Sequence, residues 1–281
     1  MKIGKYELVV LETGTFALDG GAMFGIIPKL LWQNSNPPDE MNRVTLGARC
    51  LMLVSDSKKI LIDTSLGSGW DEKFMRIYNV NQNGKLLTDT LNGHGYKREE
   101  ITDVILTHLH FDHTGGSTTL ADGKWVPAFP NAKYHVQKKH FEWALNPTER
   151  DRGSFIANRF MPLHEEGLLN LIDYKKEFDD EIEFIVINGH TFSQQMVKIS
   201  DGNQTVLYCG DLLPFASHIP IPYVMGYDLQ PLETVREKKE LYPKAIEENW
   251  ILFFEHDPKI AAATIIKTEK GFSVKETFTE L

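Results

Sequence analysis

The 281-residue sequence predicts an α/β or α+β protein in one domain, on three observations. Apolar runs of strand length alternate with segments of helical periodicity, twice over. No Pro/Gly-rich linker separates the halves. Clusters of histidine and aspartate stand directly behind strand-like runs, where α/β sheets usually bind ligands.

Along the chain, residues 6–15 alternate apolar and polar and predict a first strand, closed by the turn Asp19-Gly20-Gly21. Residues 22–32 are apolar without regular period. They read as core, as a loop walling a substrate pocket, or as a dimer contact; Met23, Phe24, Ile27 and Trp32 are its pocket candidates. Residues 49–54 and 59–63 form two strands about Ser55-Asp56-Ser57-Lys58, with Asp63 at the strand end. A short helix is predicted over 71–78 and a polar loop over 79–95.

The run Ile101-Thr102-Asp103-Val104-Ile105-Leu106 is β-branched and strand-like. It feeds Thr-His-Leu-His-Phe-Asp-His-Thr-Gly-Gly at 107–116, which places His108, His110, Asp112 and His113 within six residues before two glycines turn the chain. Imidazole and carboxylate suit zinc, iron, manganese or nickel. Four such groups are too close in sequence to converge on one ion. His108 and His110, two apart in an extended run, face one; Asp112 and His113, past a bend, face another.

Further on, Asp122-Gly123-Lys124 is a turn, 132–136 a strand and 137–145 a helix ended by Pro147. Residues 151–169 carry helical spacing and are expected to cap the site. His135, His140 and His164 fit no ligand pattern. Strand 183–188 leads into Gly189-His190-Thr191, and the hairpin 195–200/204–209 runs into Gly210-Asp211. A long helix covers 230–249, with Pro231 near its start, and strand 250–254 delivers His256. A hairpin of 261–267 and 272–278 ends the chain.

The motif His108-x-His110-x-Asp112-His113 resembles the signature of the metallo-β-lactamase superfamily. Asp63, Gly189-His190-Thr191, Gly210-Asp211 and His256 match its remaining motifs in order. Asp19-Gly20-Gly21-Ala22-Met23-Phe24-Gly25 and Glu255-His256-Asp257-Pro258 look like the branch of N-acyl homoserine lactonases and methyl parathion hydrolase-like enzymes. The resemblance implies a four-layer αββα sandwich and two divalent metal ions, zinc foremost, with manganese, iron or cobalt as alternatives. It implies that His108, His110 and His190 hold one ion and Asp112, His113 and His256 the other. Asp211 then bridges both, and Asp63 orients a metal-bound histidine. Two such ions generate hydroxide at neutral pH and stabilise the charge that develops on oxygen; Asp112 carries the proton to the leaving group.

The function expected is hydrolysis of small neutral esters by a lactonase or esterase. A phosphotriesterase is the alternative, followed by an iron-binding redox or thioester hydrolase member. Homoserine lactonases carry a tyrosine shortly after the bridging aspartate. Here the run is Asp211-Leu212-Leu213-Pro214-Phe215, so Phe215, His218 and Tyr223 become pocket candidates, with Tyr223 the stand-in. No arginine or lysine adjoins a ligand motif, which favours a neutral substrate.

The formal charge of −9 argues against a nucleic-acid surface. No apolar run reaches a membrane span, and no leader follows Met1, so a cytoplasmic enzyme is expected. Cys50 and Cys209 lie in apolar strands and read as buried, reduced thiols.

Overall fold

A computed structural model describes residues 1–82, 84–174 and 177–281. The first sheet is built from β1 (Lys2–Ile3), β2 (Tyr6–Asp19), β3 (Arg43–Val54), β4 (Lys59–Ile62) and β5 (Asp103–Ile105). After an intervening hairpin, β6 (Thr118–Ala121) and β7 (Lys124–Pro127), it is completed by β8 (Lys133–Gln137) and β9 (Leu169–Ile172). Its order is β1-β2-β3-β4-β5-β8-β9, antiparallel as far as β4 and parallel thereafter. The second sheet contains β10 (Ile182–Ile187), β11 (Gln194–Ser200), β12 (Thr205–Tyr208), β13 (Ile251–Phe253), β14 (Ala262–Thr268) and β15 (Gly271–Phe278), in sequence order. It is antiparallel except for the β12–β13 pair.

Side-chain alternation sorts the layers. Leu51, Leu53, Ile60 and Ile62 point to the same core as Phe184, Val197, Val206 and Tyr208 of the other sheet. Their neighbours Cys50, Met52 and Leu61 face outward, onto α4 (Leu87–Gly93), α6 (Lys138–Leu145) and α7 (Met161–Glu165). Leu207, Cys209 and Leu252 face α8 (Pro231–Glu247) on the opposite side. The result is helix, sheet, sheet, helix, and both cysteines are free and buried. The shorter helices are α1 (Gly20–Phe24), α2 (Lys29–Trp32), α3 (Glu72–Ile77) and α5 (Phe111–Thr114).

Two expectations are corrected, and the turn expected at 122–124 is present. The polar stretch 79–95 contains α4, whose Leu87 and Leu91 bury one face; Asn83 lies outside the described residues. Residues 151–169 form not one helix but two 3₁₀ turns (Arg152–Ser154 and Ala157–Arg159), the short α7 and the start of β9. Their periodic apolar residues Phe155, Phe160 and Leu163 are buried one turn at a time. Asp122 and Gly123 both have positive φ (49° and 76°), the conformation that joins two strands tightly, so their turn carries the β6–β7 hairpin.

Candidate metal centre

The centre is assembled from loops that leave the strands of both sheets. After β5, Thr107 anchors the chain by donating its N–H and its hydroxyl to the Asp63 carboxylate, at 2.7 Å each. Asp63 has φ +57°, a left-handed position that aspartate tolerates. The chain then turns into α5, and Thr64 N–H donates to the His113 carbonyl at 2.7 Å. Gly115 and Gly116 press against the Leu66 and Thr64 carbonyls so closely that a Cβ at either would collide with backbone.

The side chains fall into two groups. His108 Nε2 and His190 Nε2 each lie 3.1 Å from His110 Nδ1. Asp211 Oδ2 is 3.1 Å from His190 Nε2. In the second group His113 Nε2 and His256 Nε2 are 3.1 Å apart, and Asp112 Oδ2 is 3.9 and 3.7 Å from them. The other oxygen of Asp211, Oδ1, faces this group at 3.5 and 3.2 Å. One carboxylate thus addresses both clusters, one oxygen to each. The residues expected to hold each ion are brought together as expected.

The arrangement of protons tests whether cations fit. His190 Nδ1 donates to Asp228 Oδ1 (3.1 Å) and His256 Nδ1 to the Gly47 carbonyl (3.0 Å). His113 Nδ1 faces both Asp63 Oδ2 (3.1 Å) and Glu255 Oε2 (2.9 Å). With their outer nitrogens engaged by these acceptors, the inner nitrogens converge beside Asp211 as a set of donors that a cation would satisfy in place of shared protons. Asp211 Oδ1 is buried with no hydrogen-bond donor. The donor set of imidazoles and carboxylates suits borderline divalent ions.

The electrostatics follow from burial and charge. Burial, then His113 and the other imidazoles, push His108 well below the ordinary histidine range, and burial with His190 does the same to His110. Burial opposes charge on His256 too, but the Asp211 carboxylate outweighs it and holds the group at about 9. Glu255 is pushed up to about 7 by burial, against the pull of His113.

Three supporting residues carry no sequence signal of their role. Asp228 holds His190 and accepts from Thr234 Oγ1 at 2.9 Å. Glu255 shares its Oε2 between His113 and the Tyr208 hydroxyl (2.6 Å). His140, read as lacking a ligand pattern, is a buried peg: Nε2 accepts from Leu109 N–H and Nδ1 donates to the Phe192 carbonyl, both at 2.8 Å.

A cavity of about 370 Å³ opens over the centre. His110, Asp112, His190, Asp211 and His256 border it, below walls that include Leu18, Met23, Tyr78, Met225 and Tyr227. Of the seven pocket candidates only Met23 lines it. Phe24 stacks between Trp32 (5.0 Å, 8°) and His218 (4.8 Å, 18°) and touches Phe215, and all four are buried behind the wall. His218 Nε2 donates to the Met23 carbonyl at 2.8 Å. Ile27 and Tyr223 pack on this cluster from outside, and Tyr223 meets Phe24 edge-on rather than reaching the centre. Neighbours in a helix such as α1 point about 100° apart, so hydrophobicity alone cannot tell wall from core. Arg150 also borders the cavity, which corrects the expectation of a site without a cation.

Comparison with known proteins agrees with this geometry. A model described as the Metallo-beta-lactamase superfamily matches residues 44–256. The N-acyl homoserine lactonase of Bacillus cereus is 25% identical over 255 residues, covering 83% of this chain and 87% of that protein. A probable metal-dependent hydrolase from Staphylococcus aureus superposes with a TM-score of 0.89 at 26% identity, over 99% of this chain and 98% of that one. AidC, a dizinc quorum-quenching lactonase solved with its product, superposes with a TM-score of 0.81 at 21% identity, over 99% and 97% of the two chains. With the ligand motifs in order, two facing sheets beneath them and a family match across most of its length, the chain belongs to the metallo-beta-lactamase superfamily.

Proposed function

We propose that the protein is a dinuclear metal-dependent hydrolase of small esters, acting as a lactonase or esterase. The observation that carries this reading is the single carboxylate, Asp211, that turns one oxygen to each of two ligand clusters bordering a largely apolar cavity. His108, His110 and His190 would hold one ion, and Asp112, His113 and His256 the other. Such a pair, when bound, supplies Lewis acidity to the scissile bond and a hydroxide nucleophile at neutral pH. The chain does the rest. Asp63, Asp228, Glu255 and the Gly47 carbonyl keep the imidazoles in the tautomer that presents a lone pair inward. Asp112, at the edge of the cavity, orients the attacking water and passes its proton to the leaving group. The apolar wall seats an acyl chain. Zinc is the ion proposed; the donor set also accepts manganese, iron or cobalt.

Support comes from lactonase relatives, one of them solved in complex with its product. The test is a hydrolysis panel on protein loaded with zinc, manganese or cobalt, covering lactones of short and long chain, an aryl ester, an aryl phosphotriester, a phosphodiester and a β-lactam. Preference for a lactone or the aryl ester is expected. Preference for the phosphodiester or the β-lactam overturns the reading, and preference for the phosphotriester selects the alternative.

A homodimer is proposed from a separate observation. Ile26, Leu30 and Leu31, within the segment whose sequence suggested a dimer contact, are exposed, as is Met41. Light scattering on wild type and on Leu30→Glu tests it. No helix among the described residues is long and apolar enough to cross a membrane.

A further inference from the structure

Arg150 stands out at the cavity because its charge is unspent. Its Nη2 donates to the Gly226 carbonyl at 2.6 Å and the Asp228 carbonyl at 3.1 Å. Those carbonyls belong to the segment that also supplies Met225, Tyr227 and Leu229 to the cavity, so the guanidinium is tethered across its mouth. Among the described residues no carboxylate lies within ion-pair distance of it. Its neighbour Asp151 is spoken for: Oδ1 accepts from Thr148 N–H (2.8 Å) and Thr148 Oγ1 (2.6 Å), and Oδ2 from Trp143 Nε1 (2.7 Å). A guanidinium has five N–H donors in a fixed fork, and here only Nη2 is engaged. A fixed, unpaired fork at the rim of an otherwise largely apolar cavity matches a planar oxyanion, which it grips with two parallel bonds.

We propose that Arg150 is a specificity-determining residue that binds a carboxylate on the part of the substrate remote from the cleaved bond. This inference rests on the ester-hydrolase reading and narrows it: substrates are lactones or esters whose acyl portion ends in an acid, in place of the plain neutral esters expected from sequence. The Arg150 tether has a second effect, since it draws the 148–154 loop onto the segment that holds Asp228 and, through it, His190. Any loosening of that tether acts on all substrates alike and cancels in a ratio.

The experiment compares two esters of equal chain length, p-nitrophenyl hexanoate and the mono-p-nitrophenyl ester of adipic acid, on the zinc-loaded full chain. Wild type is expected to favour the acidic ester by about tenfold or more in kcat/KM, expressed in KM. Arg150→Met is expected to bring the ratio to about one, and Arg150→Lys to keep part of it. Calorimetry with adipate and hexanoate reads the same preference without turnover: tighter binding of adipate by wild type, and loss of the difference in Arg150→Met. A wild-type ratio near one, or a ratio unchanged in Arg150→Met, overturns the proposal. If neither ester is hydrolysed while the calorimetric preference for adipate persists and depends on Arg150, the hydrolase reading fails and the anion site stands.

Discussion

His140 is expected to govern both the stability of the metal loop and its acid sensitivity. The imidazole is fully buried and makes two hydrogen bonds of opposite sense, accepting from Leu109 N–H and donating to the Phe192 carbonyl. Leu109 lies between His108 and His110, and Phe192 lies two residues after His190, so the ring ties two ligand segments together. His140→Phe retains the ring's bulk and leaves one buried N–H and one buried C=O unpaired. At about 1–3 kcal/mol for each such group, the loss is ~4 kcal/mol. Only the neutral ring fits, because a protonated Nε2 would point a donor at the Leu109 N–H. Burial accordingly pulls the group from 6.5 to about 4. A depressed value of this kind means that the unfolded chain takes up a proton which the folded chain refuses between those pH values. The contribution is therefore complete above about pH 6.5 and lost as pH falls towards 4. At about 1.36 kcal/mol per pK unit the interval amounts to ~3 kcal/mol. The assay is urea unfolding of chelated protein, followed by tryptophan fluorescence, at pH 7 and pH 4.5; chelation removes the stabilisation that bound metal would add. Wild type should lose ~3 kcal/mol more than His140→Phe between the two pH values. Equal losses in the two proteins would refute the reasoning, whatever the stability of the variant at pH 7.

Two further outcomes are expected. Asp211→Ala removes the anion that both clusters share, so elemental analysis should fall from about two ions per chain to one or none, and the thermal melt should become insensitive to chelator. Glu255→Gln leaves Tyr208 a partner but removes charge beside His113 Nδ1; competition with a chromophoric chelator should show one of the two ions bound about 10–100-fold more weakly, the other unchanged.

The centre was legible in sequence because metal ligation constrains residue type and spacing together. His108, His110, Asp112 and His113 fall within six consecutive positions, and His190, Asp211 and His256 each follow an apolar run of strand length. The surroundings were not legible, since they depend on which face a side chain takes. Met23 and Phe24 are adjacent and equally apolar, yet one lines the cavity and the other stacks on Trp32 behind it. Arg150 is distant in sequence from every ligand motif and reaches the cavity only because its loop folds back over it. Asp228 and His140 act through hydrogen bonds to groups 38 and 31 residues away, which no local pattern records. The helix α4 hid in a polar stretch because two leucines four apart, Leu87 and Leu91, suffice to bury so short an element.

Each ligand cluster draws on both sheets: His108 and His110 meet His190 and Asp211, while Asp112 and His113 meet His256. The centre is therefore a rivet through two halves that the ribosome delivers at different times. From His108 to His256 the chain is 148 residues long (256 − 108), which takes roughly 7–30 s to synthesise at about 5–20 residues per second. Until Asp211 is made neither cluster is complete, and the second waits for His256. Capture of metal thus belongs to the closing stage of folding, and it reports that the second sheet has docked on the first.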